Sequence, residues 1–473
     1  KCLKIQDVIK LMGQIIRKSK PGNSGSMVTR IWLHVSQMLR LAPPIVMTRS
    51  GMILIVLVDT MMVGRYDAVE LGFLAMGMSL FQPLMVTTIG LIMGTLILTA
   101  HFYGARKYSE CGQVWRKSIV YALGLGIVCA ILSMFGETYL TWTGQSSVLA
   151  REGGKVMFLL GLGLPGHILF IACSFFLEGI RRPIAGFLAI AIANLINLLL
   201  NWLFIFGNID SLPEGAIGAA LATSITRWSV AVGMIIYIFF MRHREKFGVR
   251  KSSDWGWANW GHQRRLGYAT GVSLAVETTA FSVLQQFAGW LGPIPLAAFT
   301  AVFYLLVVSF MVAIGFGAAT TVCVGNAHGR KDFRDMAYAG WTGLGLTLAA
   351  TGIIGIVLVI FDEAFILAFT NDAKVIALAV PLVFWAAIAL VTDGGQAVMA
   401  NALRGRQDVW AACFIQGFAF VAVMMPLTWY LVFPLGEGIS GIFQGIFGST
   451  IIAYLLMSFR FYWLYRHDIR ENR

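Results

Sequence analysis

The sequence predicts an all-α integral membrane protein of twelve transmembrane helices, built as two pseudo-symmetric six-helix bundles with a central cleft. Three observations predict it. Only 12% of residues are charged while 58% are apolar, apolar runs recur twelve times, and the second six runs repeat the first six. A water-soluble chain carries about 25% charged residues, because its surface must be wetted. With half that fraction, most side chains must face lipid. A hydrocarbon core about 30 Å thick needs about 20 residues per crossing helix, and helices satisfy their backbone groups without water.

The apolar runs lie near 41–64, 76–100, 117–136, 155–177, 184–207 and 216–241, then near 268–291, 297–323, 336–361, 377–401, 410–433 and 438–463. They divide the chain into a basic segment (1–37), an N-terminal bundle (38–241), a linker (242–267), a C-terminal bundle (268–463) and a tail (464–473). Within residues 1–26, Lys1, Lys4, Lys10, Arg17, Lys18 and Lys20 alternate with Ile5, Val8, Ile9, Met12, Ile15 and Ile16. Two readings fit: a basic amphipathic helix lying on the membrane surface, or a leader before an internal start at Met27. No signal-peptide pattern is present.

The net charge of +13 sits in the short polar gaps. Arg106, Lys107, Arg116, Lys117, Arg181, Arg182, Arg330, Lys331, Arg334, Arg404, Arg406, Arg466, Arg470 and Arg473 fall on one side, with seven more Lys and Arg in the linker. The other side keeps Arg65, Arg151, Lys155 and Lys374. This asymmetry predicts cytoplasmic termini in a multi-pass protein. It does not form the aromatic-flanked basic stripe of a nucleic-acid binder. The six cysteines are scattered without paired spacing, which points to neither disulfides nor a metal site.

The two halves are copies. At a shift of 225 residues, Gly64, Leu71, Leu80, Gly90, Thr95 and Gly104 fall on Gly289, Leu296, Leu305, Gly315, Thr320 and Gly329. At 226, Leu177 and Gly179 fall on Leu403 and Gly405; at 223, Gly215 and Gly218 fall on Gly438 and Gly441. An even number of spans per copy relates the bundles by an axis along the membrane normal, and two such bundles can rock about a shared cleft.

Ionisable residues inside spans carry the functional information, since each costs about 2.5–3.5 kcal/mol at a helix centre. They are Arg49 and Asp59 in the first span, His167 in the fourth, Arg227 in the sixth, Glu277 in the seventh and Asp393 in the tenth. A buried carboxylate binds Na⁺ or H⁺ and attracts organic cations. Arg49 and Arg227 are expected to be structural counter-ions, and His167 a hydrogen-bonded packing residue.

Val58-Asp59-Thr60-Met61-Met62-Val63-Gly64, Glu178-Gly179 with Arg182-Pro183, and Leu403-Arg404-Gly405 resemble the multidrug and toxic compound extrusion (MATE) family over about residues 38–463. Glu277 in Ser273-Leu274-Ala275-Val276-Glu277 and Asp393 in Val391-Thr392-Asp393-Gly394-Gly395 match the acidic pair of its NorM-type branch. The resemblance implies that these two acids bind the coupling cation. It also implies that Asp59 is a third cation-coupling acid, that Asn197, Asn201 and Thr223 are a second cation site or supporting polar residues, and that Na⁺ can bind at Glu277 and Asp393 or at Asp59 and Asn197. Asn201 stands where some relatives have Asp, so that site carries one charge fewer. Arg49 replaces a neutral residue.

The expected activity is therefore export of organic cation drugs and toxins across the inner membrane, in exchange for Na⁺ or H⁺, by a monomer in contact with membrane lipids. One net charge crossing 100 mV supplies about 2.3 kcal/mol, and a pH unit about 1.36 kcal/mol. No cofactor beyond the coupling ion is expected. A flippase-like exporter of lipid-linked or anionic substrates is the alternative, and it would need a row of basic residues in the cleft. No phosphate-cradling loop, selectivity filter or His-Glu-x-x-His motif is present, which excludes ATP as fuel, a channel and an intramembrane enzyme.

Overall fold

The computed structural model describes residues 27–206, 214–251 and 257–471, so the expectations for residues 1–26 lie outside the described residues. Twelve helical crossings follow in chain order. The N-terminal six are α1 (Met27–Tyr66), α2 and α3 (Ala68–Ile92 and Gly94–Gly104), α4 (Tyr108–Ser133), α6 and α7 (Ser147–Leu162 and Leu164–Gly179), α8 (Ile184–Ile205) and α9 (Gly215–Phe240). A short α5 (Gly136–Trp142) precedes the fourth crossing.

The C-terminal six are α10 (Gly261–Trp290), α11 (Pro293–Gly329), α12 (Phe333–Ile360), α14 (Ala373–Gly405), α15 with α16 (Val409–Gly417 and Met425–Val432), and α17 (Ile439–Glu471). A short α13 (Asp362–Leu367) repeats the position of α5, and a π-helical turn, Phe418–Met424, joins α15 to α16.

Eleven of these crossings are long and apolar enough to span a bilayer. The exception is α10. It is long enough, at 30 residues, but it carries Gln263, Arg264, Arg265, Glu277, Gln285 and Gln286. Such a helix is stable at membrane depth only where it packs among other helices or lines a polar cavity. It packs along α2 of the other bundle and along α15 of its own. The helix that fails the apolar criterion is the one that carries Glu277.

The repeat is visible in the backbone. After α3 and α11, Arg106 and Lys331 adopt left-handed φ of 60° and 59°; after α7 and α14, Arg181 and Gln407 do so at 62° and 73°. In each turn the residue after the left-handed one donates its N–H to a carbonyl five residues back: Lys107 to Phe102, Asp332 to Ala327, Arg182 to Leu177 and Asp408 to Leu403. This is the Schellman arrangement that ends a helix by satisfying its orphan carbonyls. Four non-glycine residues accept a conformation that disfavours an L side chain, at shifts of 225 and 226.

The bundles meet at the end bearing these turns, the basic face. Helix α1 runs along α11, and α10 runs along α2, which is the same contact under the pseudo-two-fold axis. Helices α3 and α11 also approach closely, and their approach is reciprocal. A Cβ on Gly104 would run into the Asn326 carbonyl oxygen, and one on Gly329 into that of His101. Nearby, Gly94 lies under the Gln263 carbonyl and Gly267 under that of Leu91. His34 of α1 adds a 2.9 Å hydrogen bond to Asp335 of α12. These approaches hold the two bundles together at the basic face.

Gly104→Val should therefore force the bundles apart and lower the midpoint of thermal unfolding in detergent by several degrees, because the obstacle is backbone that cannot rotate away. Gly124→Val, which meets open space in α4, should leave the midpoint unchanged; equal losses in both variants would contradict the close approach.

Candidate functional site

In the N-terminal bundle the structure brings Asp59, Asn197, Asn201 and Thr223 together from α1, α8 and α9. Asn197 and Asn201 are one turn apart, so both face α1. The Asn201 side-chain amide donates to Asp59 Oδ1 at 2.7 Å, and the Thr223 hydroxyl donates to Asp59 Oδ2 at 2.6 Å. Asn197 in turn donates to Thr223 Oγ1 at 3.1 Å and accepts from Asn201 at 3.2 Å. All four side chains are buried. Asn201 Oδ1 is left without a hydrogen-bond partner. Turning that amide over would present an oxygen ligand beside the carboxylate, the donor set a small hard cation requires.

Arg227, one turn beyond Thr223, lies over the Phe81 ring at 4.5 Å from its centroid and acts electrostatically on Asp59. Arg49 does not pair with Asp59. Its guanidinium donates to Glu178 Oε1 at 2.9 Å and to Oε2 at 3.3 Å, while Ser174 donates to the same carboxylate at 2.9 Å. His167, expected to be held by hydrogen bonds, lies near Arg49 and Arg227 with Nε2 unpartnered.

In the C-terminal bundle, Glu277 of α10 is half-buried and Asp393 of α14 is 1% exposed. The two act on each other electrostatically. Glu277 Oε2 accepts a 3.2 Å hydrogen bond from Gln416 of α15. Among the described residues, Asp393 Oδ1 has no partner, and neither do the side-chain amide atoms of Gln396, one turn on. An unpaired buried carboxylate oxygen is costly until a proton, a cation or a hydrogen-bond donor reaches it.

Arg404 was assigned by its sequence position to a polar connection. It belongs instead to the interior: it is 4% exposed at the end of α14 and donates to Gln416 Oε1 at 2.9 Å and to Ser273 Oγ at 3.3 Å. Its charge acts on Glu277. Helix α14 extends beyond the apolar run that marks it, so an arginine in its last turn is carried below the surface. Glu178 was missed for the same reason, since it follows the 155–177 run by one residue yet is fully enclosed in α7. The available signal was the repeat itself, because Glu178 and Arg404 occupy the same place in the two copies of Leu-x-Gly. An apolar groove between α11 and α12, lined by Tyr304, Val308, Ile353 and Val357, includes none of these groups.

Known proteins bear directly on this arrangement. The MatE family model matches residues 44–203 and 269–430, one copy in each bundle. The chain belongs to the MatE family. Among MatE relatives, a protein of Caulobacter vibrioides named "Probable multidrug resistance protein NorM" is 34% identical over 91% of this chain and 92% of its own. The "Multidrug resistance protein NorM" of Vibrio cholerae is 25% identical over 92% of this chain and 96% of its own. The crystal structure of the eukaryotic MATE transporter AtDTX14 has the same fold, with a TM-score of 0.84 at 19% identity over 93% of this chain and 99% of that one. A MATE transporter described as outward-facing superposes at a TM-score of 0.84, with 17% identity over 92% of this chain and 96% of that one. The twelve-helix, two-bundle architecture is thus the MatE fold, and the relatives are transporters, not enzymes.

Within this MatE chain the Arg49–Glu178 pair is buried, so losing one partner strands the other. Arg49→Met should cost about 3–5 kcal/mol of stability. Arg49→Met combined with Glu178→Gln should be more stable than Arg49→Met alone. Thermal unfolding of the purified variants checks this, and a double variant no better than the single would rule out the pair as a buried ion pair.

Proposed function

We propose that this chain is a secondary active multidrug exporter of the bacterial inner membrane that exchanges Na⁺ or H⁺ for organic cations. The observation that carries the reading is the Asp393 carboxylate, enclosed in α14 with one oxygen unpartnered and electrostatically linked to the half-buried Glu277. Two like charges in a low-dielectric interior favour whichever cation reaches them. A coupling ion and a drug cation cannot both satisfy one such pair, so binding of one displaces the other, and that competition is the exchange.

The Asp59, Asn197, Asn201 and Thr223 cluster serves as a second cation site, linked to the first only through the motion of the bundles. The multidrug resistance named for the NorM relatives supports the substrate class. The side that collects the basic residues is cytoplasmic, which places both termini inside. A monomer suffices, since both acidic sites are complete within one chain. The flippase alternative is disfavoured: Arg49 is engaged by Glu178 and Arg227 by Phe81, so they do not form a basic row for an anionic substrate.

Efflux of a fluorescent organic cation from inverted vesicles, driven by an imposed Na⁺ gradient or an imposed pH gradient, tests the reading. Glu277→Gln and Asp393→Asn should each abolish gradient-driven efflux at normal membrane insertion, and Asp59→Asn should reduce it. Wild-type rates in both C-bundle variants would refute the exchange mechanism.

A further inference from the structure

The two bundles carry the same pairing with the signs exchanged. Arg404 occupies in the tenth crossing the position that Glu178 occupies in the fourth, 226 residues apart. On the partnering helices, Glu277 of the seventh crossing corresponds at 225 residues to Met52 of the first, one helical turn from Arg49. Each bundle thus places one acid and one base on its first and fourth crossings, with the base first in one bundle and the acid first in the other.

The outcome differs. In the N-terminal bundle the guanidinium and the carboxylate touch, at 2.9 Å. In the C-terminal bundle no ion pair joins Arg404 to Glu277 among the described residues, and Gln416 stands between them. Arginine can only donate, so the Gln416 oxygen must face Arg404. Ser273 donates to the same oxygen. With Oε1 held by two donors, the Gln416 amide nitrogen is turned toward Glu277 Oε2. The amide satisfies both neighbours and transfers no charge between them. Gln416 is 2% exposed and sits two residues before the π-helical turn of the eleventh crossing, a feature that often marks functional positions.

We propose that Gln416 is a spacer that holds the Arg404 guanidinium off the Glu277 carboxylate and so keeps that acid open to travelling cations. The inference rests on the exchange mechanism above and adds two positioning residues to it. Without the spacer, Arg404 would close on Glu277 as Arg49 closes on Glu178, and a resident cation would fill the site. With it, Arg404 remains near enough to oppose cations arriving at Glu277, which keeps them from binding too tightly to leave.

Direct binding of tetraphenylphosphonium to the purified full-length protein, in Na⁺-free alkaline buffer, measures this. Gln416→Met keeps the length and removes both polar atoms; its Kd should rise by about tenfold or more, because a unit charge brought closer to the bound cation repels it. Gln416→Met with Arg404→Gln should return the Kd to the wild-type value or below it, which a purely structural role for Gln416 would not do. Arg404→Gln alone should lower the Kd about tenfold, and it serves as the decisive variant should Gln416→Met not fold. An unchanged Kd in Arg404→Gln, a wild-type Kd in Gln416→Met, or no rescue in the double variant would each overturn the spacer. Glu277→Gln separates the two ideas: normal pumping by that variant removes the exchange mechanism itself, whereas a dead Glu277→Gln beside an unrescued double variant removes only the spacer.

Discussion

A charge carried into lipid must be answered from inside the protein, because neither water nor the acyl chains will solvate it. That constraint organises this molecule more than any packing preference does. Arg49 is answered by Glu178, Arg227 by the Phe81 ring and the field of Asp59, and Asp59 by the donors of Asn201 and Thr223. Arg404 is answered by two polar oxygens. Asp393 is the acid left with an oxygen that has no donor among the described residues, while Arg49 Nη1, Arg227 Nη1 and His167 Nε2 are likewise without a partner there.

The pseudo-two-fold repeat gives that chemistry its mechanics. Reciprocal glycine contacts between α3 and α11 draw the bundles together at the basic face, with backbone against backbone and no side chain to cushion the approach. Such contacts are short-ranged, so they hold a closed face firmly and release it once separation begins. Rocking of one bundle against the other about their shared cleft would loosen both members of each reciprocal contact together.

Duplication also explains how the bundles came to do different things with similar scaffolds. The turns after the second, fourth, eighth and tenth crossings keep a left-handed residue at the same place and the same capping bonds. The charges diverged on that fixed backbone. Glu178 in one copy and Arg404 in the other reverse the local field, and the sealed pair in the N-terminal bundle contrasts with the spaced one in the C-terminal bundle.

Much was legible before any coordinates. The number of crossings, the doubled bundle and the acids Asp59, Glu277 and Asp393 are written in composition and period, because a helix in lipid must be apolar and a departure from that rule is conspicuous. The grouping of Asp59 with Asn197, Asn201 and Thr223 followed from family resemblance, and helical spacing is consistent with it. What the linear pattern hid were groups at the margins of apolar runs. Glu178 and Arg404 read as the edges of polar connections, yet α7 and α14 continue past the last apolar residue and bury them. Nor could spacing along the chain reveal that Arg49 prefers Glu178 over Asp59, or that Gln416 lies between Arg404 and Glu277. Hydropathy reports what a segment is made of; which charge faces which depends on how helices distant in sequence are rotated against one another, and only the assembled bundles decide that.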